Sequence, residues 1–326
     1  MKLVICFFAL FFFALSCAHY PMDKNYNGPL ILPEAIKEKY QYTSHSKNPV
    51  INIKKNKKGF FVQEIKLFSS LNSVKGAGEI KIEYYGIPGN IKRPVIMVLP
   101  ILGGPNTIVK SFARFFVKNG YAAVIVHRNN SYKKLKVLNK IDPVLRQIII
   151  DHMQVLDWIK TRNDLDENNT GVFGISMGGI KAALVTAIDQ RIKASVFALA
   201  GGDLPYILSY SKEKGIRKKR TRYMDENHVT LDELHNELKQ TITCDPLNYA
   251  RYIDAKKSLM ILAVFDTAVP YKKGKELRKK IGNPESIYLL AGHYSAILYI
   301  DYVKHKSLDF FRKKLNLPYE AMIHHR

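Results

Sequence analysis

Cysteine is scarce: three occur among 326 residues, Cys6, Cys17 and Cys244, with no CxxC pair. That argues against a disulfide framework and against a structural zinc site. Glycine is also modest at 19, and no heptad is sustained, which removes collagen-like and coiled-coil architectures. Phosphate-binding P-loop, dinucleotide-binding, HExxH and EF-hand patterns are all missing, so neither cofactor nor metal is expected. Acidic residues are outnumbered, 28 against 51 basic ones, for a net charge of +23. Such an excess attracts anionic membrane surfaces or polyanions and says little about fold. A nucleic-acid binder would gather that charge into a module. Zinc-finger spacing, an RNP-like strand and a helix-turn-helix are not found, so nucleic acid is not an expected partner.

What is present is ordinary globular composition, 47% hydrophobic and 24% charged. A chain of this length buries a sizeable core without staples.

The N-terminus reads as a targeting segment. Met1-Lys2 precedes thirteen uncharged residues, Leu3 to Leu15, and then small residues around Ser16, Cys17 and Ala18. This is the pattern of a secretory signal peptide, residues 1–17. The run is shorter than the ~20 residues of a spanning helix. The stretch also resembles a bacterial lipoprotein signal, which implies that Cys17 is lipidated. It departs from that pattern in holding Ala14, not Leu, three positions before the cysteine. The alternative is ordinary cleavage near Ala18. Either way the protein is expected to be exported, to the cell envelope or beyond. Residues 18–58, with Pro21, Pro29, Pro33 and Pro49 and the run Lys54-Lys55-Asn56-Lys57-Lys58, read as a tether and entry segment.

From residue 59 onward strands and helices alternate. Gly59–Ser70 and Glu79–Ile87 partly alternate apolar and polar residues, as half-buried strands do. Val95–Leu99, Tyr121–Val126, Ala194–Leu199 and Ser258–Phe265 are apolar runs of the kind buried on both faces. Helices are expected after Pro105-Asn106, from Asp142-Pro143 to Lys160, over Met177–Ile188 and Tyr271–Lys280, and from about Tyr294 to Lys314. This order predicts an α/β protein with a mostly parallel central sheet and helices on both faces. Residues 203–250 interrupt the alternation. They contain the basic run Arg217–Arg222 and the capping-box pattern Thr230 to Glu233, and are expected to form a small helical cap.

Gly174-Ile175-Ser176-Met177-Gly178 fits G-x-S-x-G, followed by Gly179, between an expected short strand, Gly171–Ile175, and an expected helix. A serine on that sharp turn demands small neighbours. Asp266 follows the strand Ser258–Phe265, and His293 follows the last strand. The order Ser, Asp, His, with this context, resembles the α/β-hydrolases over about Pro94 to Leu315, in the exported esterase or dienelactone-hydrolase-like branches. The resemblance implies a nucleophile at Ser176, a general base at His293 and an orienting acid at Asp266. It implies an oxyanion hole from the backbone N–H groups of Met177 and Leu102, with Ile101 as second choice. It further implies a small-molecule or lipid ester as substrate. Two departures stand out. Pro100-Ile101 replaces the His-Gly found before the oxyanion donor in many members, and a dienelactone hydrolase would carry cysteine where this chain has Ser176.

Bland readings exist for each residue. Serine is a favoured helix N-cap. Asp266 could be a turn residue, with Asp203 as rival acid, and His293 a capping residue. His127, His152 and His305 read as structural, Cys244 as a buried small hydrophobe and Trp158 as helix core. A peptidase or amidase of the same fold, or a catalytically silent envelope binding protein, are the competing functions.

Overall fold

The computed structural model of the protein describes residues 17–43, 48–104, 106–129 and 140–318. The apolar run expected as a signal peptide lies outside them, as do Cys6, Pro105, His324 and His325.

In chain order the elements are β1 (Cys17–Tyr20), β2 (Val50–Lys57), β3 (Phe60–Phe68), β4 (Glu79–Gly86), β5 (Arg93–Leu99), α1 (Thr107–Val117), β6 (Ala122–Val126), α2 (Ile141–Lys160), β7 (Leu165–Ile175), α3 (Met177–Ile188) and β8 (Ile192–Ala198). Then come α4 (Leu204–Tyr210), α5 (Lys214–Asn227), α6 (Leu231–Thr241), β9 (Ser258–Ala263), α7 (Tyr271–Ile281), β10 (Glu285–Leu289) and α8 (Ile300–Lys314). The strands form one sheet in the order β1-β10-β9-β8-β7-β5-β6-β4-β3-β2. From β10 to β6 every pairing is parallel. The meander β2-β3-β4 and the outer strand β1 are antiparallel.

The central strands are apolar because both faces are covered. All residues of β5, β6 and β9 are buried. Pro94, which cannot donate to a ladder, sits where the β5–β7 register shifts. On one face α1 and α8 pack an aromatic cluster: Phe112 stacks on Phe173 at 4.4 Å between ring centroids, and Phe116 meets Phe311 edge-on at 5.6 Å. On the other face α2, α3 and α7 bring Ile149, Val155, Leu184, Leu277 and Ile281 to the core. Apart from Lys181 and Thr186 the helix α3 is apolar, and it is buried from Gly178 to Ile188, wedged between the sheet and α2.

Between β8 and β9, α4 to α6 form a cap. Thr230 and Glu233 close the capping box at the start of α6, and Leu234 and Leu238 are buried on its inner side. Asp142 of α2 accepts hydrogen bonds from the Thr243 and Cys244 amides at 2.7 and 2.6 Å, tying the cap's exit to the body.

Two expectations need correction. Residues 18–58 are not only a tether: β1 and β2 are the outermost strands of the sheet. The lysines that suggest a loop, Lys55, Lys57 and Lys58, are exposed on or beside edge strand β2, where charge faces water and discourages further pairing. The strand β7 begins at Leu165, not Gly171, because Leu165 and Asp166 pair with Arg93 and Pro94 and the polar residues 167–169 bulge before the ladder resumes at Thr170.

Candidate active site

The strands β5, β7, β8, β9 and β10 run parallel, so their C-terminal ends share one edge of the sheet. Crevices outside that edge are where open α/β sheets bind ligands. Ser176 lies there, between β7 and α3, with φ 57° and ψ −122°. A non-glycine residue at positive φ stores strain of about 1–3 kcal/mol. The surroundings enforce it. The Ser176 amide donates to the Ala198 carbonyl at 2.8 Å. A Cβ on Gly174 would strike the Gly178 carbonyl, and one on Gly178 would strike the Leu99 carbonyl. On Gly179 it would come within 2.8 Å of Ala200 Cβ. The glycines are therefore a packing requirement of the turn. Ser176 holds the N-cap position of α3, yet its side chain makes no capping hydrogen bond. Its hydroxyl is turned elsewhere.

It meets His293. Ser176 Oγ and His293 Nε2 are 2.9 Å apart, and His293 Nδ1 lies 2.6 Å from Asp266 Oδ2. The Asp266 side chain is 3% exposed and that of His293 12%, so this chain of hydrogen bonds is largely shielded from water. The rival acid Asp203 is elsewhere. It caps α4 by accepting from the Tyr206 amide, and its Oδ2 pairs with Lys273 at 2.7 Å.

The remaining sequence candidates take structural places. His127 bonds Glu83 at 3.0 Å, and His305 bonds the Asp301 carbonyl within α8. His152 is buried in α2, where desolvation lowers its pKa to about 4. Cys244 is buried against Tyr40, and burial raises its thiol pKa to about 12, far from a reactive thiolate. Trp158 is core, edge-on to Tyr84.

A cavity of about 920 Å³ opens at Ser176 and His293. Pockets of roughly 300–1,000 Å³ suit drug-sized ligands. Its walls are mostly apolar, including Phe112, Leu208, Leu234, Leu238, Ile297 and Val303. Ile101, Leu102 and Met177 line the same space. Met177 is the first residue of α3, so its N–H precedes the helical hydrogen-bond ladder and is free to face a ligand. The residues after β5 fold into a turn closed by the Gly104 amide on the Ile101 carbonyl at 2.9 Å.

Three features escape the sequence. Arg128, just after β6, lines the cavity and donates to the Leu102 carbonyl. Its only signal is its position at a strand's C-terminal end. Behind it, Lys181 in α3 is buried, and desolvation with repulsion from Arg128 lowers its pKa to about 8. Neither cation has an ion-pair partner among the described residues. Finally, Tyr294 OH reaches Glu213, the N-cap of α5, at 3.5 Å and joins the His293 turn to the cap. Among the described residues no group of three or more His, Cys, Asp or Glu side chains is arranged to hold a metal.

No protein-family model matches the chain. An uncharacterised 31.7 kDa protein of the traX-finO intergenic region of Escherichia coli is 28% identical over 116 residues, 35% of this chain and 40% of that protein. The match thus spans well under two thirds of that relative. An acetyl xylan esterase from Paenibacillus sp. R4 superposes with a TM-score of 0.65 at 16% identity, over 87% of this chain and 100% of that one. The α/β hydrolase GrgF from Penicillium sp. sh18 gives 0.56 at 14% identity, over 78% and 99%. At such identities the likeness is one of fold. The chain has the α/β-hydrolase fold.

Proposed function

We propose that the protein is a serine hydrolase that cleaves carboxylic esters through an acyl-enzyme. The observation that carries this is the unbroken relay from Ser176 Oγ through His293 to Asp266, at 2.9 and 2.6 Å, opening on an apolar cavity. Serine alone is a weak nucleophile and needs a base in reach. Here His293 Nε2 takes the hydroxyl proton as Oγ attacks the ester carbonyl. The imidazolium that forms is stabilised by Asp266, which also fixes the Nδ1–H tautomer. The carbonyl oxygen becomes an oxyanion, received by the N–H groups of Met177 and Leu102, each worth about 3 kcal/mol. Collapse expels the alcohol with the proton from His293. Water, deprotonated by the same imidazole, then attacks the acyl-enzyme and frees the acid.

The strained turn at Ser176 supports a functional reading, because strain persists where the surroundings over-determine it. An esterase among the fold neighbours supports the ester class.

The test is hydrolysis of p-nitrophenyl esters from acetyl to palmitoyl, by the protein and by Ser176→Ala side by side. The expected result is turnover that falls by several orders of magnitude in the variant. Equal background in both, with no fluorophosphonate adduct on Ser176, would favour a silent binding protein and overturn the reading.

A further inference from the structure

The mouth of the cavity carries features that ester chemistry alone does not require. The first is exposed apolar surface gathered around the relay. Phe265 precedes Asp266 and is 64% exposed, Leu290 follows β10, and Tyr294, Ile297 and Leu298 follow His293, with Leu298 at 69%. The Phe265 amide donates to the Ala291 carbonyl at 2.9 Å, which sets the ends of β9 and β10 side by side and makes one rim of these groups. Scattered exposed hydrophobics are normal, whereas a cluster at a binding mouth marks an interaction surface.

The second feature is charge. Lys214, Arg217, Lys218, Lys219 and Arg222 of α5 are exposed, and no ion pair among the described residues engages them. Arg220 differs, turning inward to donate to the Leu208 and Ser211 carbonyls at 3.2 and 3.1 Å. The helix is thereby fastened to the cap while its other cations face water. It borders the apolar rim directly. Tyr294 bonds the α5 N-cap Glu213, and Ile216 and Tyr223 share the cavity wall with Ile297.

The third feature is where the chain enters. β1 pairs Cys17 with Leu289, one residue from exposed Leu290. Cys17 therefore stands at the same end of the sheet that carries the cavity mouth. A lipid on Cys17 would hold this rim toward a bilayer.

We propose that the rim is a docking surface for an anionic lipid bilayer, and that the substrate is an acyl ester drawn from it. The apolar rim enters the acyl region, the α5 cations meet phosphate headgroups, and the acyl chain passes into the cavity toward Ser176. Nucleic acid would also suit α5 but has no use for the apolar rim. The substrate half of this proposal rests on the esterase reading above; the docking half does not.

The test uses the full chain with vesicles of phosphatidylcholine and of phosphatidylglycerol, at low and high salt. Two variants accompany it: the triple Lys214→Gln, Arg217→Gln, Lys218→Gln, and Leu298→Ser. None of these four residues lines the cavity. Cosedimentation is expected to favour phosphatidylglycerol and to weaken with salt. Each lost charge costs about fivefold, so the triple variant loses affinity on the order of 100-fold. Leu298→Ser is expected to reduce fatty-acid release from both vesicle types. Both variants should hydrolyse soluble p-nitrophenyl butyrate like the parent, which shows that they fold. Equal binding to both lipids, or a triple variant that binds phosphatidylglycerol like the parent, overturns the proposal. So does competition by duplex DNA combined with indifference to Leu298→Ser. Vesicle binding as expected without hydrolysis of any ester would refute the esterase reading while sustaining the docking surface.

Discussion

Asp266 divides its carboxylate between the backbone and His293. Oδ1 accepts from the Ala268 and Val269 amides, both at 2.9 Å, and Oδ2 receives His293 Nδ1 at 2.6 Å. The acid is thus fixed by its own loop before it orients the imidazole. Asp266→Asn keeps the Oδ1 acceptor but presents an amide N–H to Nδ1, favouring the wrong tautomer. It is expected to lower kcat on the order of 10³- to 10⁴-fold with little change in melting temperature. Asp203→Asn should leave kcat near the parent value, since Asp203 serves Tyr206 and Lys273. Steady-state kinetics with p-nitrophenyl acetate checks both.

Ser176 holds φ 57° at the elbow, a conformation glycine adopts without penalty. Ser176→Gly should therefore relieve strain even as it abolishes turnover. Relief of about 1–3 kcal/mol, less glycine's entropic cost of about 0.5–1 kcal/mol, leaves a gain of about 1 kcal/mol. A melting temperature raised by roughly 1–2 °C is the expected reading in a thermal scan. A fall would show that the hydroxyl contributes more to stability than the strain costs.

Arg128 acts through the backbone it holds. By donating to the Leu102 carbonyl it anchors the Leu102–Gly103 peptide, which adjoins the Leu102 N–H proposed as an oxyanion donor. Arg128→Gln is expected to lower kcat by roughly 10- to 100-fold, within the ~3 kcal/mol of one donor, while KM for a short ester stays unchanged. Arg128→Lys should restore part of kcat. A rise in KM with constant kcat would assign Arg128 to substrate binding instead.

Leu208 of α4 forms part of the cavity wall. Leu208→Trp should shorten the acyl space. Since each methylene in an apolar pocket is worth about 1–3 kcal/mol, the octanoyl-to-acetyl ratio of kcat/KM is expected to fall at least about tenfold. An unchanged ratio would place the acyl chain elsewhere.

Asp151 gives the fold a pH dependence separate from catalysis. Burial beside Ser69 and Gln147 raises its pKa to about 8 from an ordinary 3.8. Between those values the unfolded chain is ionised there and the folded chain is not, so the folded state binds more protons. The contribution of Asp151 to stability is therefore full below about pH 4 and lost as pH rises toward 8. His152, whose burial lowers its pKa to about 4, works in the opposite sense. Comparing Asp151→Asn with the parent isolates the first group. Urea midpoints should fall less in the variant between pH 5 and pH 8, a window inside the shift of Asp151 to about 8. Parallel curves would contradict the assignment.

The body of the sheet was legible because strands buried on both faces must be near-continuously apolar, as β6 is throughout and β5 and β9 are after Arg93 and Ser258. The edges were not. β1 and β2 are short, polar or lysine-rich, which are the means by which edges avoid pairing and which read equally well as loop. Ser176 was legible because crowding by the Gly178 and Leu99 carbonyls demands glycine at positions 174 and 178 on either side of it. The choice between Asp266 and Asp203 was not, since both follow strands. Sheet order decides the contact. β9 adjoins β10, which carries His293, whereas Asp203 follows β8, about 5 Å further along the sheet. Arg128 and the cavity depend on side chains converging from distant elements, which no local pattern records.

The central claim is that His293 activates Ser176. The direct measurement is intact-mass and peptide analysis of fluorophosphonate labelling in the parent and in His293→Ala. One adduct on the peptide bearing Ser176, formed rapidly in the parent and slowed by orders of magnitude in the variant, is the expected result. A parent that stays unlabelled, or an adduct on another residue, would contradict it.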